Sequence, residues 1–516
     1  MKYPIGIQSF EELKRGGYVY VDKTKHIHQL ISTGKYYFLS RPRRFGKSLL
    51  MSTIEAYYKG LKDLFKGTYI GKINTVWEEH PVFHFDFNAA GSPDVNVLSA
   101  IIDHTLSIYE SKYGVSVKSF DITAFPVRFM NVIYAAKSAT GKNVVLLFDE
   151  YDKSLLKTHG NQDLQDAHRD ILKPFYSVLK TMDSHIEFAM ITGVARFGKV
   201  SIFSDLNNLA DISMVREYND ICGISESEVE KYFSSSIKEF ALKKGKQPDE
   251  IKNALRLSYD GYHFVKPEGL EGIYNPFSLI NSLNFFEIED YWFDTDTLTF
   301  LVKELIQDDV RFDEMNEVYA TRDELMNVNV VKESPIGNLY QTGYLTIKAY
   351  DEDDDLYRLG FPNREVEHAF DTFTLKVYGS ESKSGFDIAK MRRDISTGHP
   401  REFMKRLESF FADCPYDLIP DSEVHYQNII YLLYKFLGYK SYAERKTSNG
   451  RIDLLVETRK YIYLFEFKIN KSAEIALEQI DRKEYSLPFE TDGRKVFKIG
   501  VNFDTKTRRI DSKIME

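Results

Sequence analysis

Two cysteines in 516 residues, Cys222 and Cys414, exclude both a disulfide framework and a thiolate zinc site. Such a chain suits a reducing compartment, and a cytoplasmic location is the expectation. No stretch reaches the roughly 18–20 uninterrupted apolar residues of a membrane span. Met1-Lys2-Tyr3-Pro4 does not open an apolar signal segment, so no membrane partner is expected. Internal repeats and low-complexity tracts are also missing, which sets solenoids aside. Excess positive charge is lacking too. A formal net charge of −9 argues against a protein that coats nucleic acid nonspecifically, because phosphate neutralisation needs clustered Lys and Arg. A local basic groove is still allowed, and the Lys and Arg residues crowded between Lys468 and Lys513 supply one candidate. What the chain has in quantity is apolar material: 43% hydrophobic residues, with 37 Phe and 34 Tyr, can bury several cores. Its length predicts two to four domains of about 100–200 residues each.

The apolar pattern divides the chain. "YYFL" (36–39), "PVFHFDF" (81–87), "VVLLFDE" (144–150) and "IEFAMITG" (186–193) are apolar throughout rather than alternating, the signature of strands buried on both faces. They alternate with helical stretches, which predicts an α/β domain with a mostly parallel sheet. From about Ser225 the pattern turns helical. Ser225 and Asn275 stand as N-caps, and Pro276 suits a first helical turn. "NLYQTGYLTIKAY" then leads through the acidic, solvated turn Asp351 to Asp355 into "LYRLGFPN", a hairpin. After about Arg401 comes an α-β-β-α-β order: helical "EVHYQNIIYLLYKFLGY", strands "RIDLLVE" and "YIYLFEFK", helical "SAEIALEQIDRKEY" and a last strand "KVFKIGVNF".

Two segments carry chemistry. "FLSRPRRFGKSLL" places Gly46-Lys47-Ser48 between an apolar strand and a helix, the setting a phosphate-binding loop needs. Backbone N–H groups there converge on phosphates, Lys47 reaches the β and γ phosphates, and Ser48 offers a hydroxyl to Mg²⁺. Arg41 stands where the loop's first glycine belongs, and Pro42 pushes it toward extended geometry, so Arg41 prolongs the strand. The donors from Phe45 through Ser48 survive. At the end of "VVLLFDE", Asp149 suits the Mg²⁺ sphere and Glu150 suits orientation or deprotonation of a water.

"VDKT" (21–24), "FLSRPRRFGKSLL", "FDEYDK", "ITGVARF", "IFSDLNNL" and "YNPFSL" together resemble the AAA-ATPase-like family of bacterial P-loop ATPases over roughly the first 290 residues. The resemblance implies that "RPRRFGKS" is the family's own form of the loop and that ATP with Mg²⁺ is bound. It also implies that Thr192 senses the γ-phosphate. Arg196 is either a phosphate-sensing or inter-subunit arginine or a surface residue. Arg43 and Arg44 are extra cations beside the nucleotide, for phosphate or for a partner domain.

In the last domain "FEFK" (465–468) lies on an apolar strand, with Asp453 at the start of the preceding one. An antiparallel pair brings Asp453 close to Glu466 and Lys468, which share a side because they are two apart. Two carboxylates and a lysine suit phosphodiester hydrolysis. Asp453 and Glu466 would hold a divalent metal that lowers the pKa of bound water, and Lys468 would hold the attacking water or neutralise developing charge. Oxygen ligands favour Mg²⁺ or Mn²⁺ over zinc. The region from about Phe403 to Asp504 resembles the PD-(D/E)-x-K nuclease superfamily, with Ile452 where the nominal motif has Pro. That resemblance adds Glu423, with His425 as the alternative, as the upstream acid and Gln479 as the downstream helix glutamine.

The fold class expected is therefore α/β multidomain. An AAA-like P-loop domain (1–224) is followed by a helical lid (225–330), a β-hairpin or winged-type connector (331–400) and a restriction-endonuclease-like domain (401–516). The expected function is an ATPase whose nucleotide state controls a metal-dependent nuclease acting on nucleic acid, DNA in preference to RNA, with defence against foreign nucleic acid as a suggested role. Two alternatives stay open: an ATP-dependent switch or scaffold whose nuclease-like domain only binds nucleic acid, and a nuclease that works alone beside a passive nucleotide sensor. Homo-oligomerisation is left open as well.

Overall fold

The computed structural model describes the chain apart from residues 75, 117–121, 159–160, 197–201, 204, 293–294, 327–334, 379–383, 413–423, 425, 427, 429, 433–434, 436–439 and 508. Two compact units result, Met1–Trp292 with Glu317–Glu367, and Phe293–Asn316 with His368–Glu516. Among the described residues no helix is long and apolar enough to cross a membrane.

The first unit is built on β1 (Tyr36–Ser40), β2 (Val82–Asp86), β3 (Val144–Asp149), β4 (Ile186–Gly193) and the short β5 (Ala210–Asp211). They form one parallel sheet in the order 2-3-4-1-5. Every residue of β3 is buried, which is why its sequence is apolar without alternation. One face packs on an aromatic core in which Phe85 stacks on Phe148 and Phe129 on Phe175. Each such fully buried ring contributes about 1.5–3 kcal/mol by leaving water. The strand order has a functional consequence: β4 lies between β1 and β3, so residues following these three strands meet at one edge.

Beyond the sheet come β6 (Ile224–Ser225), β7 (Ile273–Tyr274) and the helices Glu226–Lys244, Pro248–Tyr259 and Pro276–Phe285. Ser225 and Glu228 form a reciprocal capping box. Asn275 accepts from the N–H groups of Phe277 and Ser278, with Pro276 in the first turn. Strands β8 (Val318–Ala320), β9 (Thr346–Asp351) and β10 (Leu356–Gly360) make an antiparallel sheet in the order 8-10-9. The expected hairpin is present, but "NLYQT" before it ends the helix Pro335–Thr342 instead of extending β9. Gly343, at φ 91°, terminates that helix in a conformation only glycine adopts cheaply. In the acidic turn the Asp351 carboxylate accepts the N–H groups of Asp353 and Asp354.

The second unit holds a mixed sheet of β11 (Lys440–Thr447), β12 (Gly450–Glu457), β13 (Tyr461–Ile469), β14 (Lys495–Asp504) and β15 (Arg509–Met515), in sequence order. Only β13 and β14 pair in parallel, joined through the helix Ala473–Arg482. The expected order gains a strand at each end, β11 and β15. Both lie on sheet edges and carry polar, charged sequences, "KSYAERKT" and "RIDSKIM", so neither shows a buried apolar run. The helix expected over 423–439, with Glu423 and His425, lies largely outside the described residues; those described within it are helical.

Candidate active sites

At the nucleotide loop, β1 ends at Ser40, yet the Arg41 N–H still donates to the Gly193 carbonyl at 3.1 Å, so Arg41 carries the ladder one residue further. Its guanidinium is 1% exposed. It donates to the carbonyls of Ser40, Ser213 and Tyr218, each at 2.9 Å, and lies 4.2 Å over the Phe264 ring. Burial pulls its pKa down, the nearby Cys222 and Tyr340 opposing. The residue in the first glycine's place thus braces the loop with its side chain. The turn that follows has Arg44 at φ 67° and Gly46 at φ 94°. A left-handed arginine costs about 1–2 kcal/mol. Packing fixes the turn: Arg44 stacks 4.7 Å over Phe277, and buried Phe45 meets the rings of Tyr262 and Phe264.

Gly46 opens the helix Lys47–Tyr58 with no side-chain cap, leaving the helix-start N–H groups for an anion. The Lys47 ammonium folds back onto the carbonyls of Arg41 (3.1 Å) and Pro42 (3.3 Å) and lies 3.3 Å from Glu150 Oε1. Glu150 itself sits at φ 54°, immediately after β3. Its carboxyl is raised by burial, but Lys47, Lys153 and Arg43 outweigh that and hold it below the ordinary range. Its Oε2 is buried and has no hydrogen-bond partner among the described residues. The Thr192 hydroxyl donates to Asp149 Oδ1 at 2.5 Å, joining the ends of β3 and β4. Lys47, Asp149, Glu150 and Thr192 are therefore brought together. Arg196 is paired elsewhere, 2.8 Å from Asp211 on β5, while its N–H donates to Gln341 at 2.6 Å.

Several residues around this loop escaped the sequence reading. Asp152, fully buried, accepts the N–H groups of Val194 (2.9 Å) and Ala195 (2.6 Å) and so fixes the chain just after Thr192. Burial, then the charge of Glu150, push its carboxyl up to about 7 against the Ala195 N–H and Lys47. The Trp292 indole donates to the Arg43 carbonyl at 3.2 Å. Gly343 lies so close to the loop that a Cβ there would sit 2.7 Å from the Pro42 ring. Asp152 lay inside "FDEYDK" with no role attached. Trp292, Gln341 and Gly343 come from distant segments with no periodic signal.

Beside Gly46 is a cavity of about 90 Å³ with mainly apolar walls, including Val19, Val21, Leu49, Ile221, Ile224 and Ile280. Its location next to the helix start and its apolar walls suit the apolar faces of a nucleobase.

In the second unit, alternation along β12 and β13 puts Asp453, Glu466 and Lys468 on one face. Asp453 Oδ2 accepts the Phe467 N–H at 2.8 Å, which locks β12 to β13 at this point. Glu466 is 1% exposed. Its Oε1 accepts from Lys468 at 2.9 Å and from the Gln479 amide. Burial, then the nearby Asp453, push the Glu466 carboxyl up to about 7, opposed by Lys468 and Gln479. Among the described residues Glu466 Oε2, which is buried, has no hydrogen-bond partner. A buried carboxylate oxygen lacking a donor beside a second carboxylate fits a hard divalent cation. Among the described residues no group of three or more His, Cys, Asp or Glu could hold such an ion. Glu423 lies outside the described residues.

Tyr485 was missed from sequence. It is buried, and its hydroxyl is raised by burial and by Glu466 while hydrogen bonding to Gln479 lowers it. It thus stands behind the Gln479–Glu466 contact. Gly500 on β14 allows the helix Ala473–Arg482 to reach the sheet: a Cβ there would clash with the Ala473 carbonyl and lie 2.6 Å from Leu477 N. Gly500→Ala is expected to destabilise the unit by about 1–3 kcal/mol, read by thermal denaturation, because backbone rather than a flexible side chain must yield.

The comparisons with known proteins agree with this geometry. A family model described as predicted AAA-ATPase matches residues 4–203, and a model of the PD-(D/E)XK nuclease superfamily matches residues 421–513. An uncharacterized protein in the vnfD 5'region of Azotobacter chroococcum mcd 1 is 34% identical over 529 residues, spanning 100% of this chain and 99% of that one. The chain belongs to the AAA-ATPase-like family and carries a PD-(D/E)XK nuclease superfamily domain. In this family member the parallel sheet lies within the ATPase match from β1 to β4, and the sheet strands β11 to β14 lie within the nuclease match. Lys47, Asp149, Glu150, Asp152, Thr192 and Arg196 fall inside the first match and Asp453, Glu466, Lys468, Gln479 and Tyr485 inside the second, whereas the residues that brace the loop from Asp211 onward lie beyond the first.

Proposed function

We propose that the protein binds and hydrolyses ATP and that its nucleotide state controls a divalent-metal-dependent nuclease in the second unit. The observation that carries the reading is the Glu466 carboxylate, buried, held on one oxygen by Lys468 and Gln479, and open on the other beside Asp453. Most buried polar atoms are hydrogen-bonded, so an open carboxylate oxygen beside a second carboxylate and a lysine supports a cation-binding role.

At the nuclease site Asp453 and Glu466 would hold Mg²⁺ or Mn²⁺, which supplies polarisation of the phosphodiester and acidification of water. Lys468 neutralises charge developing on the phosphate or orients the attacking water. Gln479, with Tyr485 behind it, fixes the rotamer of Glu466. Glu423, at the superfamily's upstream acid position, is a further member of this set.

At the nucleotide site Lys47 leaves the carbonyls of Arg41 and Pro42 for the β and γ phosphates, and Arg43 and Arg44 flank them. Mg²⁺ would rest on Ser48 and Asp149, where it supplies charge neutralisation of the phosphates. Glu150, released from Lys47, orients or deprotonates the hydrolytic water, and Thr192 reads the γ-phosphate through its bond to Asp149. The base enters the apolar cavity beside Gly46. Arg196 serves as a phosphate sensor once parted from Asp211.

The deciding experiment is a cleavage assay with the full chain on DNA and RNA, with Mg²⁺ or Mn²⁺, with and without ATP. The expected result is metal-dependent cleavage, of DNA before RNA, whose rate changes with ATP. Binding without cleavage favours the switch or scaffold, and cleavage indifferent to ATP favours a nuclease beside a passive sensor. A role in defence against foreign nucleic acid predicts that Asp453→Ala abolishes any reduction in phage plaques, and equal plating would remove it.

A further inference from the structure

The C-terminal basic residues do not form one patch. Arg494 is paired with Asp492 and Glu457, Lys495 with Glu516, Lys498 with Asp481 and Lys513 with Glu474. Those charges are spent on neighbouring carboxylates. Lys483 of that stretch, with Lys446 and Arg451 from β11 and β12, stands on the side of the two carboxylates, and β11 is a strand the sequence did not announce.

On β11 and β12, Lys446 lies directly opposite Arg451, and both are exposed. Arg451 stands two residues before Asp453, as Lys468 stands two after Glu466, so all four share one face of the sheet. The cations form a row one step outward from the acids. On the helix, Lys483 lies one turn beyond Gln479, its N–H donating to the Gln479 carbonyl at 3.0 Å. Lys446 and Lys483 have no carboxylate at ion-pair distance among the described residues. The turn joining β11 and β12 is held toward that helix end: Asn449 donates to Glu484 at 3.3 Å, and Gly450, at φ 150°, leaves room for the Tyr485 hydroxyl, 2.8 Å from where a Cβ would stand. On the inward side of the acids the same face is closed by Leu455, Leu464 and Ile480. Among the described residues, the outer side of Asp453 and Glu466 is where the cations stand, with Glu484 as an opposing charge.

We propose that the β11–β12 turn and the end of the helix Ala473–Arg482 form a track for the nucleic-acid backbone, with Lys446, Arg451 and Lys483 contacting phosphates beside the one that is cut. The inference rests on the reading of this unit as a nuclease and names how that site holds its substrate.

The test measures equilibrium binding of fluorescein-labelled single-stranded DNA, duplex DNA and RNA oligonucleotides to the full chain. Ca²⁺ replaces Mg²⁺, and KCl spans about 50–300 mM. The triple variant Lys446→Ala/Arg451→Ala/Lys483→Ala is expected to bind about tenfold or more weaker and to lose about 0.7–0.9 in salt slope for each phosphate contact removed. Lys495→Ala/Lys498→Ala, the paired cations, should leave affinity and slope unchanged. A triple variant with unaltered affinity and slope overturns the track, as does an equal loss in the paired-cation control. Binding by the unaltered chain without cleavage under Mg²⁺ removes the nuclease reading and leaves the track standing. No binding to any oligonucleotide removes both.

Discussion

Lys468→Ala is expected to lower the rate of phosphodiester cleavage by about 10²–10³-fold, the range found when one preorganised charge donor is removed from a reacting oxyanion. Its ammonium donates to Glu466 Oε1 and to the Phe467 carbonyl, so it is already positioned before substrate arrives. Glu466→Gln should be at least as damaging, because it keeps the shape but removes the charge that holds the cation. The two variants separate the roles. Raising the Mn²⁺ concentration should restore part of the Glu466→Gln loss and none of the Lys468→Ala loss. Cleavage unchanged in both, measured on the substrate the unaltered chain cuts, would remove the assignment of this site.

Lys47→Ala is the second large effect, with ATP turnover expected to fall by about 10²-fold or more as the ammonium facing the β and γ phosphates is lost. Binding has a built-in reporter, since only Trp77 and Trp292 are present and the Trp292 indole donates to the Arg43 carbonyl within the loop. In a Trp77→Phe background ATP should change Trp292 fluorescence, and Lys47→Ala should abolish the change. Glu150→Gln is expected to behave differently, retaining the fluorescence response while losing turnover, because the role proposed for Glu150 is on water rather than on the phosphates. A Glu150→Gln variant that hydrolyses ATP normally would sink its role.

Which parts of this were legible in the sequence follows from burial. Strands β1 to β4 declared themselves because both of their faces are largely covered, so most of their positions are apolar. Ser225 and Asn275 were readable because a cap is a local interaction between residues two or three apart. The edge strands β11 and β15 were not, since an edge facing water selects polar residues that carry no strand signal. Their absence from the reading also hid Lys446, which only the register of β11 against β12 places beside Arg451. Asp453, Glu466 and Lys468 were singled out by spacing, and Gln479 by the superfamily resemblance; the structure brings these four together. Tyr485 was not, because its link to Gln479 depends on how the chain turns after the helix. Trp292, Gln341 and Gly343 touch the nucleotide loop from far along the chain, and no local pattern encodes such a contact.

The arginine in place of the loop's first glycine also sets how ligand binding is experienced energetically. A glycine-rich loop is flexible when empty and surrenders conformational entropy when phosphate arrives, about 1–2 kcal/mol for each residue frozen. With Arg41 bonded to three carbonyls and Phe45 wedged between two rings, much of that ordering has already happened during folding. The loop is preorganised, so affinity is gained at the expense of slack. Under the proposed ATP binding and hydrolysis, a change would find little give inside the loop and would pass outward to the residues packed around it, Trp292 and Gly343 among them.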